Sequence, residues 1–409
     1  MNCLVFALAS TAALASANGP ITFNEEVLPI LQRHCQTCHR PGQAAPMPLL
    51  TYEATRPWAK AIKIAVLARI MPPWFADPRY GHFANDPSLN QNEIETLVKW
   101  ADSGAPEGNS ADAPAPIQWP DGGWQIKPDV VLSLPPYRVP AKGTVDWTYV
   151  TLPSGFTKDT WVTSIEILPG DPSVLHHAAV FFKGGEGSIQ AVYVPGFRTM
   201  DYALHNAAKL IPAKTDLMIQ AHYTPNGHEV TEVTRIGFTL AKEKPKRRFI
   251  TYSPQTPAIW HRELFRIPAG DPNWSSPPVD GVFRVDAELV WFMPHMHLRG
   301  KDMTYSLTRP SGKSEIVLSV PRYDFSWQTG YDVASPIPVS KGTRIHVEAH
   351  YDNSVNNRAN PDASRDVYGG TQTWEEMMVP FFGVVVDARV DPRKVMTLPG
   401  QAGSVGTGR

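Results

Sequence analysis

From about residue 121 to its end the chain never sustains a helical pattern. It runs instead through short apolar or alternating stretches, at 130–134, 161–168, 178–182, 216–223, 235–240, 287–292, 304–309, 316–320, 344–350 and 381–387, parted by Gly, Pro, Asn and Asp. Successive side chains leave a strand on opposite faces, so short alternating runs between turn residues are what half-buried strands require. The 40 prolines, about twice the average frequency, suit loops and sheet edges better than long helices. Many short strands at this spacing predict antiparallel β-sandwiches. A basic loop over 242–246, containing Pro245, divides them into 123–245 and 246–395, with a flexible tail over 396–409.

Residues 18–108 read differently and carry most of the helical signal. A first helix is expected over 23–34, with Asn24 as its cap and Glu25 and Glu26 in its first turn. A second spans 58–70 and stops at Pro72-Pro73. A third opens on a capping box, Asn90 to Glu93, and ends at Gly104. A small, polar, Pro- and Ala-rich linker follows over 109–122.

Residues 1–17 read as an export signal, an apolar run too short to span a bilayer followed by Ala15-Ser16-Ala17. The expected location is periplasmic or secreted, with no membrane span in the mature chain. A formal net charge of −1 gives no field to gather nucleic acid.

Only three cysteines occur, Cys3, Cys35 and Cys38, and Cys3 is expected to leave with the signal. Cys35-Gln-Thr-Cys38-His39 is the spacing that attaches a c-type haem. Two thiols at this separation reach the two vinyl groups, and the adjacent imidazole meets the iron from one side. Met71, in Arg69-Ile-Met-Pro-Pro-Trp74, is the expected sixth ligand, with Met47 as its rival. Residues 18–108 are therefore expected to form a small all-α cytochrome c domain.

Several of the 13 histidines cluster as metal ligands do: His176-His177 in one strand, His222 ending another, and His295-Met296-His297 after an aromatic run. Residues two apart in a strand face one side, so His295 and His297 can grip one ion. Adjacent His176 and His177 face opposite ways in a regular strand, so sharing an ion there requires a bulge or strand end. With the thiols committed to haem, blue-copper and cysteine-rich zinc sites are excluded. Zinc and non-haem iron commonly recruit carboxylates, whereas a thioether marks cuprous copper, and Met377 is the best thioether available. His346, Glu348 and His350 alternate along one strand and read as a polar face or a second iron-type site. His34, His82, His205, His228 and His261 read as surface or core.

In order and context these residues resemble the copper type II, ascorbate-dependent monooxygenases, the family of the peptidylglycine and dopamine hydroxylases. Gln220-Ala-His-Tyr223, His297-Leu-Arg-Gly-Lys301 and Gly369-Gly-Thr with Glu376-Met377 match beyond the ligands, and the likeness spans about residues 125–390. The resemblance implies two jelly-roll sandwiches. It also implies an electron-transfer copper on His176, His177 and His222, and an oxygen-activating copper on His295, His297 and Met377. Two departures stand out. No disulfides are available, and Met293, Val379 and Phe381 occupy positions where the amidating members hold a peptide carboxylate. That pocket is apolar, so a peptide carboxylate is not the expected substrate. The expectation is O₂-dependent hydroxylation of a C–H bond in a small organic substrate. Its electrons come from an ascorbate-like reductant or a redox protein, relayed through the haem. The competing readings are a non-enzymatic haem and copper electron-transfer or copper-handling protein, and a haem protein with structural zinc.

Overall fold

The structure is a computed structural model that describes residues 19–183, 189–254 and 263–398. The expected signal with Cys3, His261 and the last eleven residues of the chain lie outside them. No described helix is long and apolar enough to cross a membrane.

Near the N-terminus four short α-helices form: α1 Leu28–His34, α2 Tyr52–Thr55, α3 Ala59–Leu67 and α4 Gln91–Asp102. A π-helical turn, Phe23–Val27, leads into α1, and its cap is Thr22 rather than Asn24. Glu26 returns its carboxylate to the Thr22 N–H at 2.7 Å, while Asn24 is buried beneath the turn. At α4 the Asn90–Glu93 capping box forms in both directions. Phe23, Val27, Leu31, Leu97 and Trp100 make a small core of their own.

The expected all-α cytochrome domain followed by two sandwich domains is nonetheless overturned. Among the described residues strand accounts for 37% and helix for 14%, so short helices decorate a β protein. The irregular segment after α3 leaves the helices and joins the sheets. Phe83 bridges antiparallel to Val333, Ala84 N–H donates to the Asp332 carbonyl at 2.7 Å, and Trp74 and Phe83 pack on Tyr331. Apolar residues of that segment find burial against the sheets that the short helices cannot offer.

Four small antiparallel sheets carry most strands. The first orders Val130–Ser133, Arg235–Leu240, Thr160–Leu168 and Thr199–Asp201, with Lys209–Ile211 also pairing to Thr160–Leu168. The second orders Thr148–Pro153, Asp216–Tyr223, Leu175–Lys183 and Ile189–Tyr193. The third orders Arg247–Tyr252, Val379–Asp387, Ala287–His295 and Tyr331–Val339. The fourth is built on Gly300–Thr308 and Arg344–Tyr351.

These sheets do not divide into two independent sandwiches. Strand Val379–Asp387 is buried along nearly its whole length. Val379, Phe381 and Val385 face one apolar core while Phe382, Val384 and Val386 face the other. The third sheet thus lies between both cores, and its continuous apolar runs reflect burial on two faces. Tyr331–Val339, with Pro336 and Pro338, escaped the sequence reading because prolines argue against a central strand; it sits at that sheet's edge. The expected tail also begins too early, since Met396–Thr397 pairs with Val279–Phe283.

Candidate metal centre

Strand Asp216–Tyr223 alternates strictly: Leu217, Ile219, Ala221 and Tyr223 enter the core and His222 points from the other face. Beside it, His177 lies in register with His222, and the register shifts between Leu175 and His177. That irregularity is the one adjacent histidines need to share a ligand. The three rings stand 5.0 Å (His176–His177), 5.5 Å (His176–His222) and 5.1 Å (His177–His222) apart. One ligand-capable atom from each lies within 4.8 Å of the others, the one such group of three among the described residues. His176 Nδ1 and His177 Nδ1 approach to 2.8 Å. His177 Nε2 and His222 Nδ1 are buried with no hydrogen-bond partner among the described residues. A buried orphan polar atom costs about 1–3 kcal/mol, and a bound cation would remove that penalty.

Burial holds His176 down to about 4 and lowers His177 and His222 below the ordinary imidazole range. All three rings are neutral at neutral pH, the form that ligates metal. Trp147 packs over His177 and His222, at 4.5 Å and 5.0 Å, and closes that side.

His295 ends strand Ala287–His295, and His297 follows with its ring 5.3 Å away. Each Nδ1 already has a partner: Gln328 Oε1 at 2.6 Å for His295, and the Glu375 carbonyl at 3.1 Å for His297. Both acceptors fix the tautomer and leave Nε2 as the free lone pair. Burial holds His295 down to about 4 and His297 to about 3. His295 pairs with Val379 at the end of the ladder, and Met377 lies two residues before Val379, partly buried against both apolar cores. The fully buried Glu376 clamps this corner, accepting the His297 N–H at 2.9 Å and the Arg299 N–H at 2.6 Å. Burial pushes its carboxyl up to about 8 despite these donors.

The loop between Ser314–Val320 and Tyr331–Val339 ties the two groups together. It supplies Gln328 and also Phe325, whose ring lies 5.6 Å from His176, 5.9 Å from His177 and 6.0 Å from His297. The sequence reading passed over Phe325, Gln328 and Trp147, which carry no motif. Glu376 was quoted only as context for Met377.

At the cysteine loop, Cys35 and Cys38 are free thiols just after α1, and burial pushes Cys35 up to about 12. His39 Nδ1 contacts the Met47 carbonyl at 3.1 Å, leaving Nε2 available. Two thiols and an oriented imidazole have the chemistry that would attach and ligate a c-type haem. Met47 stands behind that ring by its carbonyl, on the side away from Nε2. Met71 lines a separate cavity with Val66, Trp74 and Ile94, which does not include Cys38 or His39.

His346 and His350 do not converge. His346 Nδ1 contacts Asp280 at 2.8 Å and His350 Nδ1 contacts Asp302 at 2.7 Å, each across the ladder on the outer face of Arg344–Tyr351. His34 contacts Pro87 and Glu93, and His205 packs near Phe249.

No family model matches the chain, and no curated protein matches it. Two solved structures of infectious bursal disease virus align with it. The Gx strain shows 9% identity over 69% of this chain and 78% of that one, with a TM-score of 0.17. The Gt strain shows 10% identity over 68% and 78%, with a TM-score of 0.14. Likeness at that level carries no inference about fold or function.

Proposed function

We propose that the chain is a copper-dependent monooxygenase that hydroxylates a C–H bond of an organic substrate with O₂. The observation that carries this reading is the pairing of two buried, neutral imidazole groups on either side of Phe325, one beside a thioether segment. His176, His177 and His222 form a donor set without carboxylate or thiolate, which suits copper better than zinc or non-haem iron. His295 and His297, with Met377, form the softer set. When bound, copper would supply one-electron exchange and oxygen activation at these two sets.

The protein's own groups do the rest. Gln328 and the Glu375 carbonyl hold the Nδ1 protons of His295 and His297 and so aim both Nε2 lone pairs. Phe381, 6.1 Å from His295 between ring centres, and the buried Met293 and Val379 give that corner an apolar wall. Such a wall favours an apolar portion of substrate and excludes water. Cys35, Cys38 and His39 would hold a covalent haem, which would supply a further one-electron couple.

The test is elemental analysis and electron-spin resonance of the purified full-length chain, together with oxygen uptake. The expected result is two copper ions per chain and oxygen consumption that Met377→Ala abolishes while copper remains on the His176 group. Zinc without copper would overturn the proposal. Copper that titrates between redox states without any oxygen uptake would select an electron carrier instead.

A further inference from the structure

Helix α3 carries apolar side chains on two sides. Ala59, Ile62 and Val66 enter the small core that Phe23, Leu31 and Trp100 also build. Ile64 and Leu67, three apart and so neighbours on the other side of the helix, remain 67% and 55% exposed. Trp58 at the head of the helix and Ile70 just past its end lengthen the strip, at 41% and 52% exposed. A surface helix ordinarily turns charged and polar residues outward, and a helix apolar all round is ordinarily buried. Single exposed apolar residues need no explanation, but four within residues 58–70 make a patch that marks an interaction surface.

Charge decides what that strip can meet. Residues 54–76 hold Arg56, Lys60, Lys63 and Arg69 and no acidic residue. Lys60 lies one turn before Ile64 and is exposed beside it. Of these four cations only Lys63 pairs with a carboxylate among the described residues, Asp102 at 2.5 Å. Exposed Arg322, from the loop after Ser314–Val320, adds a fifth positive group, and its Nη2 donates to the Arg69 carbonyl at 3.1 Å. Its guanidinium lies 5.9 Å from the centre of the Phe75 ring, which packs on a core of the sheets. The far end of the strip is thereby tied to the body of the protein.

An apolar strip rimmed by cations without counter-ions is complementary to an anionic surface with an apolar interior. Aliphatic side chains enter the boundary between headgroups and acyl chains, an indole prefers that boundary, and Lys and Arg meet the phosphates. A protein partner would need a matching groove of its own, whereas lipid conforms to side chains that stand out from a helix. We propose that the exposed side of α3 docks the protein on the surface of an anionic phospholipid bilayer, with Trp58, Ile64, Leu67 and Ile70 as the inserted groups. Docking is peripheral, since the helix has nine residues where a span needs about twenty. The contact rests on neither the copper nor the haem reading.

Co-sedimentation of the full-length chain with vesicles tests it, comparing phosphatidylglycerol mixed into phosphatidylcholine with phosphatidylcholine alone. Binding to the anionic vesicles is expected to be about tenfold tighter or more, and to weaken as salt screens the cations. Lys60→Gln is expected to weaken it about fivefold, the share of one cation near such a surface. Ile64→Ser with Leu67→Ser is expected to weaken it about tenfold or more. Both side chains are exposed, so the unfolding midpoint of that double variant should stay at the wild-type value. The variants also separate this contact from any made by the apolar run in residues 1–17. Equal binding to the two kinds of vesicle, binding to neither, or a double variant that binds as the wild type does overturns the proposal. A chain that ignores vesicles and sediments as a dimer, made monomeric by the same two substitutions, assigns the strip to a second copy and likewise overturns it.

Discussion

The His176–His177–His222 group and the His295–His297 pair solve one problem in opposite ways. In the first, strand register and one ladder irregularity bring three rings together, and two ring nitrogens are left without partners. In the second, two rings are aimed by acceptors from elsewhere, Gln328 and the Glu375 carbonyl, with Glu376 holding the backbone. The first group is converged but unbuttressed. The second is buttressed and shares its loop with the first through Phe325. The difference teaches that a cluster of imidazoles can be fixed by sheet geometry alone or by a shell of partners, and that each fails to a different substitution.

Acid is expected to act on both groups of the metal-free protein, with the largest effect. Their folded-state values lie below the unfolded imidazole value of about 6.5, so stability is intact above that pH. It falls as the unfolded state takes up protons, and the loss is complete below about 4 for His176 and His295 and below about 3 for His297. Each full shift from 6.5 to 4 corresponds to about 3 kcal/mol, so denaturant midpoints should drop steeply across that window. His176→Gln and His295→Gln should each remove one share. If only one substitution does, the two groups are not equally neutral.

Glu376→Ala strips the acceptor from two buried N–H groups. Metal-free stability should fall by about 3 kcal/mol in urea unfolding, and one copper should be lost while the His176 group keeps its own. Loss of both coppers would break the contrast between a self-sufficient group and a buttressed one.

Gln328→Leu removes a single ring acceptor. Metal affinity at His295 and His297 should weaken about 10- to 100-fold, read by competition with a chelator, with no change at His176. Equal weakening at both groups would show that the loop serves them jointly.

Phe325→Ala should have the smallest effect, about 1 kcal/mol in unfolding, since it removes ring contacts and no hydrogen bond. Its sharper readout is the electron-spin spectrum of the copper-loaded chain. Both signals should change together, because the ring touches His176, His177 and His297.

Much of the candidate site was legible before the structure. The spacing of His295 and His297 and the pairing problem posed by His176-His177 follow from strand periodicity, whereas Met377 in its Glu-Met segment was singled out by thioether chemistry together with the family resemblance. Gln328 and Phe325 were not legible, since they lie in an irregular loop and reach the site only through packing. The cap at Thr22 was missed because Asn24, a better capping residue by type, was drawn into the core. Reading 18–108 as a separate all-α domain failed because helical pattern reports local preference only. The apolar residues Trp74, Phe75 and Phe83 belong to the core of the distant sheets.

The sequence alone determined the chain's strand-rich character, the neutral, thiol-poor donor chemistry and the Cys35–His39 motif. These depend on residue type and short spacing, and both are written locally. The tertiary structure decided that the third sheet serves two cores and that both histidine groups meet at Phe325. Those facts rest on contacts between residues far apart in the chain, such as His176 with Phe325 and Phe249 with Val385, which no local pattern encodes.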